Sequence, residues 1–82
     1  MYSIEFSGQA NKFFQKLQKQ DQLIISKKIG QLKENPFRYL KRLQGDKLWR
    51  LRIMKYRAII DVIVSGNKII VLRIGYRKNV YN

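Results

Sequence analysis

The sequence predicts a single α+β domain over residues 1–82, in which an N-terminal strand and an antiparallel helical hairpin precede an antiparallel β-meander. Three observations support this prediction. The first half of the chain has helical periodicity, the second half has three apolar runs of strand length, and no repeat, low-complexity segment or linker divides them. Helices and strands grouped in separate parts of a chain are typical of α+β folds, so both helices should pack on one face of the sheet. A chain of this length supports one modest core.

The N-terminal half is predicted to form a short strand and two helices. Residues 2–6 alternate in polarity and end at Ser7, a favourable helix cap. A helix over 8–19 follows. Its apolar stripe consists of Ala10, Phe13, Phe14 and Leu17. Asp21 is expected to cap a second helix over 22–34, and because few residues join the two helices, they should lie antiparallel.

The C-terminal half is predicted to form the meander. Residues 37–46 lose the helical period and are expected to form a basic loop, with a short helical turn as an open alternative. Apolar runs follow at 47–53, 56–64 and 68–74. A two-residue turn joins the first two runs, and residues 65–67 form a three-residue hairpin loop before the third.

Alternation along the strands predicts which side chains face the helices. Pairing Val64 with Lys68 gives one continuous apolar face. Its members are Trp49, Leu51, Ile53, Ala58, Ile60, Val62, Ile70, Leu72 and Ile74. A bulge at Gly66 could slip the pairing by one residue, but that slip would bury Arg73, which argues for the unslipped register.

The opposite face of the meander gathers arginines. Arg50 and Arg52 alternate with apolar residues, and the two-residue turn sets Arg52 directly across from Arg57. At about 5 Å, their repulsion is about 3 kcal/mol for an effective dielectric of about 20 and under about 1 kcal/mol in water. Arg73 joins this face, and Gly75 leaves space beside Arg57. Because opposed like charges weaken a strand pair, this arrangement indicates a bound anion.

Composition bounds the partners and the chemistry. The chain has 18 Lys and Arg against 5 Asp and Glu, a formal charge of +13, which favours a polyanionic partner such as nucleic acid or an acidic protein. It has no cysteine and no histidine, so we expect no metal site, no cofactor, and catalysis by Arg, Lys, Tyr or a carboxylate. The sequence shows no signal peptide and no membrane-length apolar run, so we expect a cytoplasmic protein without membrane contact.

Over essentially its whole length, the sequence resembles the RelE and ParE superfamily of toxins from bacterial and archaeal toxin-antitoxin modules. The most specific parts are Tyr56-Arg57 after the first meander strand, and Ile74-Gly75-Tyr76-Arg77 followed by Val80-Tyr81. The resemblance implies the RelE branch, in which a ribosome-dependent endoribonuclease cuts mRNA in the decoding site and stops translation and growth. It also implies neutralisation by a small RelB-like antitoxin, in a hetero-oligomeric complex.

The resemblance further implies the site residues. It assigns catalytic roles to Arg50, Arg52, Arg57, Arg77 and Tyr81. Independently of the resemblance, the other cations on and around the basic face are expected to bind RNA: Lys47, Lys55, Arg73 and Lys78. The implied reaction is attack of a ribose 2′-oxygen on the adjacent phosphate, giving a cyclic phosphate and a free 5′-hydroxyl. Several RelE proteins have lysines at the positions of Arg50 and Arg52, and arginine does not accept a proton near neutral pH. The general base is therefore open, with Tyr81 the best candidate for proton transfer.

Two other functions fit the sequence less well. A ParE-like inhibitor of DNA gyrase would share the fold and bind without cleavage, but it would not need the implied set of arginines and the terminal tyrosine. A non-catalytic RNA-binding module would display aromatic rings on the exposed sheet face. Here Trp49 and Tyr56 are predicted to lie on the core side.

Overall fold

A computed structural model describes residues 1–43, 45 and 47–78, and it confirms the α+β fold class. The elements are β1 (Ser3–Phe6), α1 (Gly8–Gln15), α2 (Lys19–Gly30), two 3-10 helices (Gln31–Lys33 and Pro36–Arg38), β2 (Lys41–Arg42), β3 (Trp49–Ile53), β4 (Tyr56–Ile63) and β5 (Lys68–Tyr76). The strands form one sheet in the order β1-β5-β4-β3-β2. β1 runs parallel to β5 and the other pairs are antiparallel. Among the described helices, none is long and apolar enough to cross a membrane.

The helices begin and end at slightly different residues from those predicted. Ser7 caps α1 as expected, because its hydroxyl oxygen accepts the Ala10 N–H at 3.0 Å. α1 ends at Gln15 rather than at residue 19. The prediction that Asp21 caps the second helix was wrong: Gln18 is the N-cap, and Asp21 lies in the first turn of α2. A carboxylate there still interacts favourably with the helix dipole.

The connections also differ in detail. The predicted basic loop contains the 3-10 helix Pro36–Arg38, which was the open alternative, and the short strand β2. The predicted three-residue hairpin loop was wrong, because Ile63 rather than Val64 pairs with Lys68 and the connection has four residues, 64–67. β2 extends the sheet beyond β3 by pairing with Trp49 and Arg50 only.

The register of β4 and β5 changes within the strands. Ile59 pairs with Arg73 but Ile60 pairs with Val71, so Leu72 is an extra residue that forms a β-bulge. Ser7 holds this bulge, since its N–H donates to the Val71 carbonyl at 2.9 Å and its hydroxyl donates to the Leu72 carbonyl at 2.6 Å. The cap of α1 and the bulge of β5 therefore depend on one side chain.

The bulge reverses the predicted burial at the start of β5. Ile70 and Leu72 were expected in the core, but the structure buries Ile69 and Val71 completely and leaves Ile70 and Leu72 partly exposed. A register slipped by one residue was expected to bury Arg73, and this expectation was wrong. The pairing is slipped only between Lys68 and Val71, and the extra residue Leu72 returns the strand to the predicted register from Arg73 onward. Arg73 stays exposed and Ile74 stays buried.

One apolar core lies between the sheet and the helices. Its buried members include Ala10, Ile25, Ile29, Leu32, Leu51, Ile53, Tyr56, Ala58, Ile60, Ile69, Val71 and Ile74. Side chains of α1 and α2 thus cover the predicted face of β3 and β4, whereas β5 contributes the predicted Ile74 together with Ile69 and Val71 in place of Ile70 and Leu72. Trp49 was also expected there and is only half-buried, against the Phe37 ring at a centroid distance of 5.2 Å.

The bulge can be tested with two substitutions of the same residue type. Ile69→Ala removes a side chain with no exposed surface and should lower the free energy of unfolding by about 2–5 kcal/mol. Ile70→Ala is the matched control and should cost clearly less, because Ile70 is partly exposed. Urea denaturation measures both. A larger loss for Ile70→Ala would contradict the observed register.

Candidate nucleic-acid interface

The face of the sheet opposite the helices carries the predicted arginines. Arg52 pairs with Arg57 across β3 and β4, as predicted, and Gly75 lies opposite Arg57 on β5. Ile59 is flanked in the register by Arg50 on one side and Arg73 on the other. Ile59 is only 7% exposed although it is on this face, which indicates that the long arginine stems shield it while their charged ends remain near water.

Two of these arginines have an unpaired donor. The Nε atoms of Arg50 and Arg57 are buried, and neither has a hydrogen-bond partner within the described part of the chain. A buried donor without a partner costs about 1–3 kcal/mol, and more when the group is charged. Each of these N–H groups would be satisfied by an anion placed on the basic face.

The turn between β3 and β4 positions a third arginine beside Arg57. Arg77 donates its backbone N–H to the Lys55 carbonyl at 2.9 Å and its Nη1 to the Met54 carbonyl at 3.1 Å. Met54 has a φ of 53°, a left-handed conformation that is uncommon outside glycine. The turn thereby presents two carbonyls that hold Arg77, while most of the five guanidinium N–H groups stay available.

A cavity of about 680 Å³ opens at this end of the sheet. The described residues that line it are Lys55, Arg57, Tyr76, Arg77 and Lys78. Four of the five are cations and none is a carboxylate. This group, called the Arg57 cavity below, is suited to bind a phosphate and to neutralise charge that develops on it.

The other predicted site residues are distributed differently. Arg50 and Arg52 line a separate cleft of about 290 Å³, and Lys47 lines a third hollow together with Trp49. Arg73 is exposed on the sheet face. Tyr81, with the neighbouring residues 79–82, lies outside the described part of the chain. The structure therefore brings together Arg57, Arg77, Lys55 and Lys78, and it does not bring Lys47 to them.

Tyr76 lines the Arg57 cavity and was absent from the predicted site. Tyr76 is 43% exposed, and its ring packs against the rings of Phe13 and Tyr56, at centroid distances of 5.6 and 5.4 Å. The sequence held an indication of this position, because Tyr76 directly precedes Arg77. Its pairing with Tyr56 is seen only in the structure. An exposed ring beside four cations is suited to stack on a nucleobase.

Tyr56 connects the helical layer to the cavity. It is 1% exposed, and its hydroxyl donates a hydrogen bond of 2.5 Å to Oδ2 of Asp21. Burial, followed by this bond and the negative charge of Asp21, raises the pKa of Tyr56 from 10.0 to about 12. Tyr56 is thus a neutral structural group that fixes the start of β4, where the next residue is Arg57.

The described residues were also compared with the ligand sets of metal sites. Across residues 1–43, 45 and 47–78, no three His, Cys, Asp or Glu side chains lie together where they could hold a metal ion.

Comparison with known sequences gives one family match. The family model described as the ParE toxin of the type II toxin-antitoxin system parDE matches residues 4–81. No curated protein matches the chain. The family match covers both helices, the whole meander and all of the predicted site residues.

The fold is similar to that of solved toxins. The isolated RelE toxin of E. coli has a TM-score of 0.82 at 21% identity, covering 98% of this chain and 88% of that chain. A chain of the intact E. coli RelBE toxin-antitoxin complex has a TM-score of 0.81 at 22% identity, covering 94% and 98%. A chain of the archaeal RelE-RelB complex from Pyrococcus horikoshii has a TM-score of 0.82 at 23% identity, covering 96% and 98%. These similarities show the shared fold.

The Tyr56 contact predicts a defined dependence of stability on pH. Tyr56→Phe should lower the free energy of unfolding by about 1.5–3 kcal/mol, because it removes a hydrogen bond to a carboxylate. The pKa of Tyr56 is higher in the folded state, so its contribution is complete below pH 10 and falls as the pH rises towards 12. The difference between wild type and Tyr56→Phe should therefore shrink above pH 10.

Urea denaturation at a series of pH values between 7 and 12 provides the measurement. Tyr39→Phe is the matched control, because it removes a hydroxyl from an exposed ring and should change stability by less than about 0.5 kcal/mol. A stability difference for Tyr56→Phe that stays constant up to pH 12 would contradict the assigned contact.

Proposed function

We propose that this chain, which belongs to the ParE toxin family of type II toxin-antitoxin systems, acts as a toxin that cuts mRNA on the ribosome and so stops translation. The observation that supports this activity best is the Arg57 cavity. It joins Arg57, with its buried and unpaired Nε, to Arg77 and two lysines. Such a convergence of donors on one point is what a site needs in order to neutralise charge that develops on a phosphate during its cleavage.

The proposed reaction is internal transesterification of RNA. The ribose 2′-oxygen attacks the adjacent phosphorus, the bond to the 5′-oxygen breaks, and the products are a 2′,3′-cyclic phosphate and a 5′-hydroxyl. Arg57 and Arg77 stabilise the extra negative charge of the pentavalent phosphorane. Donors that are already in place before the reaction need no reorganisation, which is the main source of such stabilisation.

Few residues of this chain can act as the group that transfers a proton in this reaction. Tyr56 is excluded because its hydroxyl is buried, bonded to Asp21 and has a raised pKa. Arg50 and Arg52 do not accept protons near neutral pH. Tyr81 therefore remains our candidate for proton transfer, and Arg50 and Arg52 contribute charge and phosphate contacts.

The ribosome supplies what this domain lacks. The Arg57 cavity lies at the end of the sheet on an 82-residue domain, and the described residues that line it do not enclose a flexible RNA strand and fix it in line for attack. Placing the mRNA in the decoding site would provide that geometry, which is worth several orders of magnitude in rate. We accordingly expect free RNA to be cut poorly.

The proposed inhibitor of the toxin is a RelB-like antitoxin that covers or distorts the basic face. A toxin of charge +13 attracts an acidic partner, and two of the similar structures are toxin-antitoxin complexes with RelB. Because the antitoxin is a different chain, the resulting complex would be a hetero-oligomer.

Inhibition of DNA gyrase by binding alone is the second candidate. The match to the ParE toxin model favours it, since this is the activity that the ParE branch of the superfamily implies. In that case the arginines would bind an acidic protein surface or DNA, and no phosphodiester bond would be broken.

Removing one phosphate-binding arginine should separate these functions. Arg57→Ala or Arg77→Ala should slow single-turnover cleavage of ribosome-bound mRNA by about 10² or more, the scale of losing one preorganised donor. Arg57→Lys keeps the charge but loses the two-point contact, so it should fall between wild type and Arg57→Ala. Lys33→Ala is the control, because it removes one exposed charge outside the cavity.

Cleavage at the wild-type rate by an Arg57→Ala, Arg77→Ala double variant would overturn the proposed catalysis. Full growth inhibition by that double variant, together with inhibited supercoiling by purified gyrase, would establish the second candidate. Tyr81→Phe, which keeps the ring, tests proton transfer separately, and wild-type cleavage by this variant would remove Tyr81 from the mechanism.

A further inference from the structure

A second basic cleft lies at the outer edge of β3. β2 pairs with Trp49 and Arg50 only, so within the described residues the edge of β3 at Leu51 and Arg52 has no neighbouring strand. The cleft there has a volume of about 290 Å³, which approaches the lower limit of small-ligand pockets. Leu51 forms part of its wall. The remaining lining residues are Lys28, Gln31, Tyr39, Lys41, Arg50 and Arg52.

The charges of this cleft indicate an anion. It has four cations and no carboxylate among its described lining residues. Lys41 lies directly opposite Arg50 in the β2–β3 pair, which is a second like-charge pair beside that of Arg52 and Arg57. The buried Nε of Arg50 also lacks a partner within the described part of the chain. A phosphate would relieve the repulsion and satisfy this donor.

The uncharged groups of the cleft match a nucleobase. Tyr39 is 40% exposed, and the Arg38 guanidinium lies 5.8 Å from the centroid of its ring, so a base that stacks on this ring also meets a cation. The Gln31 side chain is exposed and offers both a donor and an acceptor, the pair that the edge of a base requires. Cations for a phosphate, a ring for a base face and an amide for a base edge therefore meet in one place.

We infer that this cleft is a nucleotide subsite for single-stranded RNA, next to the Arg57 cavity. Arg50, Lys41 and Lys28 bind phosphate. Tyr39 stacks on the base, and Gln31 contacts the base edge. Arg52 belongs to the cleft and pairs with Arg57, so the two sites share a boundary and one RNA strand can occupy both. This inference rests on the proposed function, because it takes the strand in the cleft to be the strand that is cut.

Binding of an RNA that cannot be cleaved tests the subsite without activity. The probe is a fluorescein-labelled hexanucleotide with 2′-O-methyl groups, measured by anisotropy over a series of salt concentrations. Tyr39→Leu should weaken binding about fivefold or more, the lower range for one lost base stack, and Tyr39→Phe should bind as wild type does. A second probe with abasic sugars should show no difference between Tyr39→Leu and wild type.

The charge of the cleft is tested by substituting two neighbouring lysines of α2, one that lines the cleft and one that does not. Lys28→Ala should reduce the slope of log affinity against log salt by about 0.7, the value for one phosphate contact on a single strand. Lys27→Ala removes the same charge from an adjacent exposed position that does not line the cleft, so its slope should stay close to that of wild type. Gln31→Ala should change the preference among bases and leave the salt slope unchanged.

The outcomes separate this inference from the proposed function. If Tyr39→Leu and Lys28→Ala bind both probes as the Lys27→Ala control does, the subsite is wrong even when Arg57→Ala abolishes cleavage. If these variants weaken antitoxin binding and leave RNA binding intact, the cleft is an antitoxin contact and the inference is overturned. If Arg57→Ala cleaves at the wild-type rate, the proposed catalysis fails while the binding results still decide the subsite.

Discussion

The repulsion between arginines on one face of the sheet is the constraint on which the rest of the structure depends. Arg52 and Arg57 are opposed across a two-residue turn, and Lys41 and Arg50 are opposed one strand further out. Neither pair is neutralised by an ion pair within the described part of the chain, and the salt bridge between Lys68 and Glu5 lies at the other end of the sheet. The fold must supply the stability that these pairs remove.

The opposite face supplies that stability through close apolar packing. Because of the β-bulge at Leu72, one face of β5 contributes Val71 and Ile74 to the core while the other face keeps Arg73 exposed. Ser7 holds the bulge and begins α1, which ties the helical layer to the sheet. At the other end, Tyr56 bonds to Asp21 of α2 immediately before Arg57. The helices thus fix the positions of the arginines that lie on the far side of the sheet.

The strand register that a short turn determines could be predicted from the sequence, whereas the register that depends on contacts with distant residues could not. The two-residue turn determines that Ile53 meets Tyr56 and that Arg52 meets Arg57, so both predictions were confirmed. The burial of Ile69 in place of Ile70 depends on a bulge held by Ser7, more than 60 residues away in the sequence. Alternation alone gave no indication of it.

The same distinction applies to the candidate site. Arg57 and Arg77 come together because the turn at Met54 receives both the backbone and the side chain of Arg77, a contact between segments 23 residues apart. Arg52 lies opposite Arg57 in the β3–β4 pair. Arg50 and Arg52 also line a separate cleft with Lys28 and Tyr39, where the end of α2 and the short strand β2 approach the outer edge of β3. The sequence singled out Arg50, Arg52, Arg57 and Arg77, but the division of the cations into two sites, and the place of Lys28 and Lys41 in one of them, required the tertiary structure.

The most direct test of the account is to map the RNA ends made by the purified chain on ribosomes that hold a defined codon in the decoding site. Cleavage is expected within that codon, with a 2′,3′-cyclic phosphate on the upstream fragment and a 5′-hydroxyl on the downstream fragment. The same mRNA without ribosomes should remain largely intact. Intact mRNA on the ribosome, or fragments with a 5′-phosphate, would contradict it.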